Sequence, residues 1–116
     1  MKSIEKITDN AHYRKIYQQG RSYGNLYLVM YVLKNGTSKN KIGISVSKKV
    51  GNSVVRHRVT RLIRESYRLN ENLFKKGFDI VIIARVSVRG KSFTDVSSAM
   101  LHLGKLHGIL EKTVNS

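Results

Sequence analysis

Residues 50–68 read VGNSVVRHRVTRLIRESYR. Placed on a helix of about 3.6 residues per turn, Val55, Val59, Leu62, Ile63 and Ser66 gather on one side. His57, Arg61, Arg64 and Arg68 form a stripe on the opposite side, with Arg56 and Arg58 on its two shoulders. Asn52 is placed to cap the helix start. The only acid in the segment, Glu65, falls on a shoulder and neutralises only part of the stripe. One face of this helix is built to be buried and the other to meet anions.

A solvated helix face usually mixes signs, because like charges four residues apart destabilise a helix by a few tenths of a kcal/mol. Arg61, Arg64 and Arg68 accept that repulsion. The planar guanidinium fork of arginine also suits phosphate oxygens better than the lysine ammonium does. Both points favour a nucleic-acid contact over a merely hydrated face. The whole composition leans the same way. Lys and Arg number 22 against 7 Asp and Glu in 116 residues, a formal charge of +15. That excess draws polyanions and opposes self-association. An anionic membrane is the weaker candidate partner, since the chain has neither a long apolar segment nor a signal-like apolar stretch near its start. Cysteine is absent, which excludes disulfides, thiol nucleophiles and cysteine zinc sites. With 41% apolar residues and this length, a single domain over residues 1–116 with its own core is expected.

Outward from the central helix, the pattern predicts a small sheet. Upstream, residues 42–47 alternate Ile42, Ile44 and Val46 with Gly43, Ser45 and Ser47, a half-buried strand whose other face is small enough for close approach. Before it, residues 22–33 read as strand with a break near Gly24-Asn25. Leu26, Leu28, Met30 and Val32 point one way, while Tyr27, Val29, Tyr31 and Leu33 point the other, so both faces need cover. A polar turn at residues 34–40 joins these strands. Residues 9–19 predict a first helix capped by Thr8 and stopped at Gly20. Residues 1–8 are a lead-in of unassigned conformation. Downstream, residues 72–77 make the return, and FDIVIIARV at 78–86 suits a strand covered on both faces in a parallel arrangement. A last helix is expected from Thr94 or Asp95, with Val96, Met100, Leu103, Leu106 and Leu110 facing the core and a frayed end at 111–116. The order α-β-β-β-α-β-α gives an α+β sandwich, a sheet of about four strands covered by helices.

No catalytic group set stands out. The seven acids show no metal-cluster spacing, and His12, His57, His102 and His107 form no metal-binding pattern, so His102 and His107 read as structural. Tyr13, Ile16 and Tyr17 share a helix face. Such a stripe is either core or the aromatic lining of a groove.

Residues 44–52, ISVSKKVGN, followed by Val55-Arg56-His57-Arg58 and Arg61-Leu62-Ile63-Arg64, closely resemble the signature of the protein subunit of bacterial ribonuclease P. The resemblance runs along nearly the whole chain. It departs at His57, where the family motif usually has asparagine, and at Thr60, where lysine is common. The resemblance implies a left-handed β-α-β crossover, against the usual right-handed rule. It also implies a ribonucleoprotein in which a catalytic RNA hydrolyses precursor tRNA with Mg2+, the protein holding no metal and no catalytic residue of its own. In that setting Arg56, His57, Arg58, Arg61, Arg64 and Arg68 bind the RNA subunit, His57 as a neutral hydrogen-bonding substitute for asparagine. Tyr13, Tyr17 and Tyr31, with Lys48 and Lys49, match the cleft that takes the single-stranded 5′ leader. Aromatic platforms beside cations are what single strands require. The implied location is the cytoplasm, with no membrane partner and no small-molecule substrate. Composition alone leaves three rivals: a ribosomal or general structured-RNA-binding protein without a catalytic role, a DNA-binding module, and a protein-only nuclease. The first is the main alternative, because phosphate contacts carry affinity without selectivity.

Overall fold

Phe78–Ala84, the apolar run, forms the strand on which the sheet is assembled. The structure is a computed structural model that describes residues 4–111. In chain order it contains α1 (Asn10–Gln19), β1 (Arg21–Gly24), β2 (Leu28–Lys34), β3 (Lys41–Ser45), α2 (Ser53–Asn70), β4 (Phe78–Ala84) and α3 (Phe93–Leu106), with short 3-10 turns at Glu71–Leu73 and Val86–Val88. The sheet has four strands in the order β1-β2-β4-β3. β4 runs antiparallel to β2, with Met30 opposite Ile82, and parallel to β3, with Ile44 opposite Ile82. The parallel arrangement expected of this strand therefore holds on one side only. The polar turn before β3 joins two strands but makes no hairpin, because β4 lies between them. Asn35 shapes that turn: its Oδ1 accepts from Thr37 N at 2.9 Å, and its Nδ2 donates to Lys39 O at 2.9 Å.

Strand alternation sorts the side chains into two layers. Leu28, Met30, Val32, Ile42, Ile80 and Ile82 face α2 and α3, where Val59, Ile63, Tyr67, Val96, Met100 and Leu103 complete the main core. Tyr31, Leu33, Val81 and Ile83 face the other way and meet α1 through Ile16, with Ile7 from the lead-in. Both faces of β2 thus find cover, as the sequence requires, but Leu26 and Tyr27 precede the strand: Leu26 is exposed in the β1–β2 turn, and Tyr27 packs against the main core instead of pointing with Tyr31 and Leu33. That turn is where the expected break lies. Asn25 makes it, its Oδ1 accepting from Leu28 N at 3.0 Å and its Nδ2 donating to Ala99 O at 2.9 Å.

Several boundaries move. Asp9, not Thr8, caps α1, since the carboxylate accepts from Ala11 N at 3.1 Å. α3 starts at Phe93, behind a reciprocal cap in which Asp95 N donates to Ser92 Oγ and the Asp95 carboxylate accepts from Ser92 N. Leu106 is exposed rather than core-facing, and the face it was expected to fill holds Ala99 and Gly104 instead. Tyr67, expected nowhere in the core, is buried against Phe74 with ring centroids 5.3 Å apart, its hydroxyl accepting from Asn40 Nδ2 at 3.2 Å. The lead-in pairs with the outer edge of β3: Ile42 N donates to Glu5 O at 2.9 Å, and Ile7 N to Ile42 O at 3.0 Å. Of the expected frayed end, residues 112–116 lie outside the described residues, and Glu111 N donates to Leu73 O at 2.6 Å.

Candidate nucleic-acid interface

The chain leaves β3 at Ser45, turns through exposed Lys48 and Lys49, and enters α2 behind Asn52, whose Oδ1 accepts from Val55 N at 3.0 Å. Ser47 O accepts from Val50 N at 3.1 Å and buries Val50, which ties the turn to the core. The first turn of α2 carries no acid. The positive end of the helix dipole therefore adds to the surrounding cations.

Along α2, His57, Arg61 and Arg64 are exposed, opposite buried Val59, Ile63 and Ser66. The two shoulders differ from the stripe. Arg56 is half-buried, its Nε shielded from solvent and without a partner, and its carbonyl accepts from Thr60 Oγ1 at 2.8 Å. Arg58 Nη2 donates to Lys91 O at 2.9 Å, tying the helix to the loop before α3. Arg68 is held by Glu65 at 2.7 Å, so the anionic shoulder neutralises the far end of the stripe. The hydrogen bond from Arg68, aided by the field of Arg61 and Arg64, holds the Glu65 carboxyl below its usual range. The unneutralised charge is concentrated on the N-terminal half of the helix.

Two hollows adjoin there. A broad one of about 920 Å³ lies against Ile44, Val46, Arg56, His57, Arg61 and Arg64. A smaller one of about 130 Å³ is lined by Ile4, Lys6, Ile7, Tyr13, Ile42, Ile44, Thr60 and Arg64. They share Ile44, Thr60 and Arg64, so the arginine face runs without interruption into a cleft floored by β3 and walled by α1. Tyr13 enters this cleft over Gly43. A Cβ at that position would lie 2.6 Å from the Tyr13 hydroxyl, so the small-residue face of β3 exists to admit the ring. The Tyr13 phenol is hydrogen-bonded to the backbone of Ile44 and the Tyr17 phenol to the Ser45 side chain, while burial pushes both phenols above their usual range. The rings form a ladder: Tyr13 to Tyr17 at 6.2 Å, then Tyr17 to Tyr31 edge-on at 5.0 Å. Tyr17 is the most open of the three, 39% exposed.

The structure thus brings Tyr13, Arg56, His57, Arg58, Arg61 and Arg64 to the walls of the two hollows. Tyr17 and Tyr31 line neither and join the site only through their ring contacts with Tyr13 and with each other, and Arg68 lies beyond both. Lys48 and Lys49 sit in the turn at the start of α2 and line neither hollow. The sequence reading missed Lys6 and Ile7 as cleft walls, for they come to the site only through pairing with the edge of β3. Among the described residues, no three His, Asp or Glu side chains are grouped as metal ligands, and no helix is long and apolar enough to cross a membrane. His102 Nδ1 lies 3.2 Å from Asn25 Nδ2, and His107 Nε2 lies 2.8 Å from Met30 O, so both serve the framework.

A basic α+β module with an arginine-faced helix opening onto an aromatic cleft is a nucleic-acid-binding protein by its surface. Its relatives are specific. A family model described as Ribonuclease P matches residues 1–107. The chain is 54% identical over 109 residues to the ribonuclease P protein component of Lachnoclostridium phytofermentans, covering 94% of each, and 52% identical over 106 residues to that of Clostridium botulinum, covering 90% of this chain and 95% of the other. Among solved structures, the Staphylococcus aureus RNase P protein superposes with a TM-score of 0.85 at 30% identity, over 94% of this chain and all of that one. The Thermotoga maritima RNase P protein gives 0.81 at 31% identity, over 87% and 96% of the two chains. The chain belongs to the ribonuclease P protein family.

Proposed function

We propose that this chain binds the RNA subunit of ribonuclease P through the α2 face and lays the single-stranded 5′ leader of precursor tRNA in the cleft beside Tyr13, Tyr17 and Tyr31. Hydrolysis at the leader junction is then the work of the RNA subunit with Mg2+ held by RNA oxygens, and the protein contributes binding and charge neutralisation in the cytoplasm. The observation that carries this reading is the continuity of the two hollows through Ile44, Thr60 and Arg64. A surface that changes from arginine to tyrosine along one path suits a partner that changes from folded RNA to an unpaired strand. Folded RNA is held by its phosphates, which the planar forks of Arg61 and Arg64 match. An unpaired strand offers base faces as well, and exposed rings such as Tyr17 meet them with little regard for sequence. His57 stands in the stripe as a hydrogen-bonding group among the arginines. Cations supplied by the protein replace metal ions that RNA would otherwise collect to offset its own repulsion, which lowers the magnesium needed for folding and substrate capture.

The test is reconstituted cleavage of precursor tRNA. The RNA subunit alone is expected to need high Mg2+, adding this chain is expected to restore cleavage at low Mg2+, and the chain alone is expected to cut nothing. Cleavage by the chain without RNA would make it a nuclease in its own right. An unaltered magnesium requirement would leave only general RNA binding.

A further inference from the structure

α1 is held to the sheet differently from α2 and α3. Its one fully buried side chain is Ile16, which packs with Ile7 and Val81. The Tyr13 and Tyr17 phenols tether one side of α1 to β3, and on the side over β4 this single buried contact fixes a point but not the direction of the axis. The second point lies one turn earlier, where His12 Nε2 is 2.5 Å from Asp79 Oδ2. Asp79 opens β4 on the α1 face and is 5% exposed, the one acid buried among the described residues. Its other oxygen accepts from Asn35 Nδ2 at 3.1 Å. A buried carboxylate is costly unless each oxygen is served, so losing His12 leaves a charge half satisfied.

His12 and Ile16 are four residues apart and lie along one line of α1. Tyr13 and Tyr17 are the next positions on each turn and lie along the adjoining line. The axis set by residues 12 and 16 therefore sets the tyrosine line. The phenols of Tyr13 and Tyr17 reach β3 at Ile44 and Ser45, and Tyr13 sits so close to Gly43 that little tilt is tolerated.

We infer that the His12–Asp79 pair is a latch that holds α1 in the orientation presenting Tyr13 and Tyr17 to an unpaired strand. His12 is a positioning residue of the leader cleft: it faces the sheet and acts through the tyrosines. The inference rests on the cleft reading above.

The experiment uses the enzyme reconstituted from this chain and its RNA subunit. It measures the ratio of precursor-tRNA to mature-tRNA affinity for wild type, His12→Ala, His12→Gln, Asp79→Asn and Tyr31→Ala. His12→Ala is expected to lower the ratio about fivefold, comparable with the loss of one weak base stack. Affinity for the RNA subunit is expected to hold, because α2 is untouched. His12→Gln, whose amide can still donate to Asp79, is expected to recover the ratio to within about twofold. If His12→Ala does not fold, Asp79→Asn gives the same readout with the shape of the pair kept, and is expected to lower the ratio. A ratio unchanged in whichever of these two variants is read, or a glutamine variant as poor as the alanine, overturns the latch. An unchanged ratio in Tyr31→Ala overturns the cleft reading instead, so the two failures are told apart.

Discussion

The two faces of the sheet are unequal. On one, α2 and α3 close a continuous core in which Leu28, Met30, Ile63, Ile80, Ile82, Met100 and Leu103 are all fully buried. On the other, the buried apolar cluster is only Ile16 of α1 with Ile7 and Val81, and the tyrosines stay half open. Each apolar side chain taken fully out of water contributes roughly 1.5–3 kcal/mol, so the thick face carries most of the stability. The thin face is where rings stay open, and it is the face proposed to take an unpaired RNA strand. The division follows from β4, whose alternate residues serve both layers: Ile80, Ile82 and Ala84 on one side, Asp79, Val81 and Ile83 on the other. A protein of this size stabilises one side of its sheet and keeps the other available.

The largest test of that contrast is a pair of core truncations. Ile82→Ala on the thick face is expected to cost about 3–4 kcal/mol in urea unfolding, since the cavity is walled by two helices that cannot follow. Ile16→Ala on the thin face is expected to cost about 2 kcal/mol, because its neighbours there are few and partly open, so fewer packed contacts are lost. Equal losses would show that α1 is as much a part of the core as α2.

Next in size is the cationic face, which belongs to the thick layer by its helix and to the site by its surface. Replacing Arg61 and Arg64 together with Ala is expected to weaken binding to the RNA subunit and to reduce the slope of log affinity against log salt by up to ~0.9 for each lost phosphate contact. Stability is expected to stay within ±0.5 kcal/mol, as for other surface changes. Binding measured across a salt series decides it, and an unaltered slope removes this helix from the interface.

Tyr31 lies on the thin side, beneath Tyr17. Tyr31→Ala is expected to weaken precursor tRNA by on the order of 1 kcal/mol or somewhat more, with mature tRNA unaffected. Equal weakening of both tRNA forms in a folded variant would assign Tyr31 to packing alone.

How much of this was legible depended on how local each cause is. The α2 cap at Asn52, its buried and basic faces, and the element order are written in short-range periodicity, and the structure has them. The small face of β3 was legible as a place of close approach, though nothing local named Tyr13 as its occupant. The insertion of β4 between β2 and β3 was not, because strand pairing is decided by long-range packing of two apolar faces. Tyr67 was missed because it lies at the edge of the apolar arc, and only Phe74 and Asn40, brought in from outside the helix, enclose it. His12 drew no attention because its partner is 67 residues away.

The smallest effect probes the thick face through its histidine. His107 Nε2 donates to Met30 O at 2.8 Å, and the ring stands edge-on to Tyr23 with centroids 4.7 Å apart. Burial holds its pKa below the ordinary value, with a lesser push from Arg21 and an opposing one from the Met30 carbonyl. Below the ordinary histidine pKa of about 6.5, the unfolded chain therefore binds more protons at this site than the folded one. Stability from this residue is complete above that pH and declines as acid is added, until the folded-state pKa is passed. His107→Gln keeps an amide donor for Met30 but cannot titrate, so its stability is expected to fall less than that of the wild type between pH 7.5 and 5.5. The ring is only partly buried, which makes the difference small, on the order of a few tenths of a kcal/mol. Every other titrating group is common to both proteins, so urea unfolding at the two pH values isolates this one. Parallel pH profiles would remove His107 as a source of acid sensitivity. A changed ratio of precursor to mature tRNA affinity in the same variant would do more, for it would show that the thick face reaches into substrate binding and that the two layers are not separate in their work.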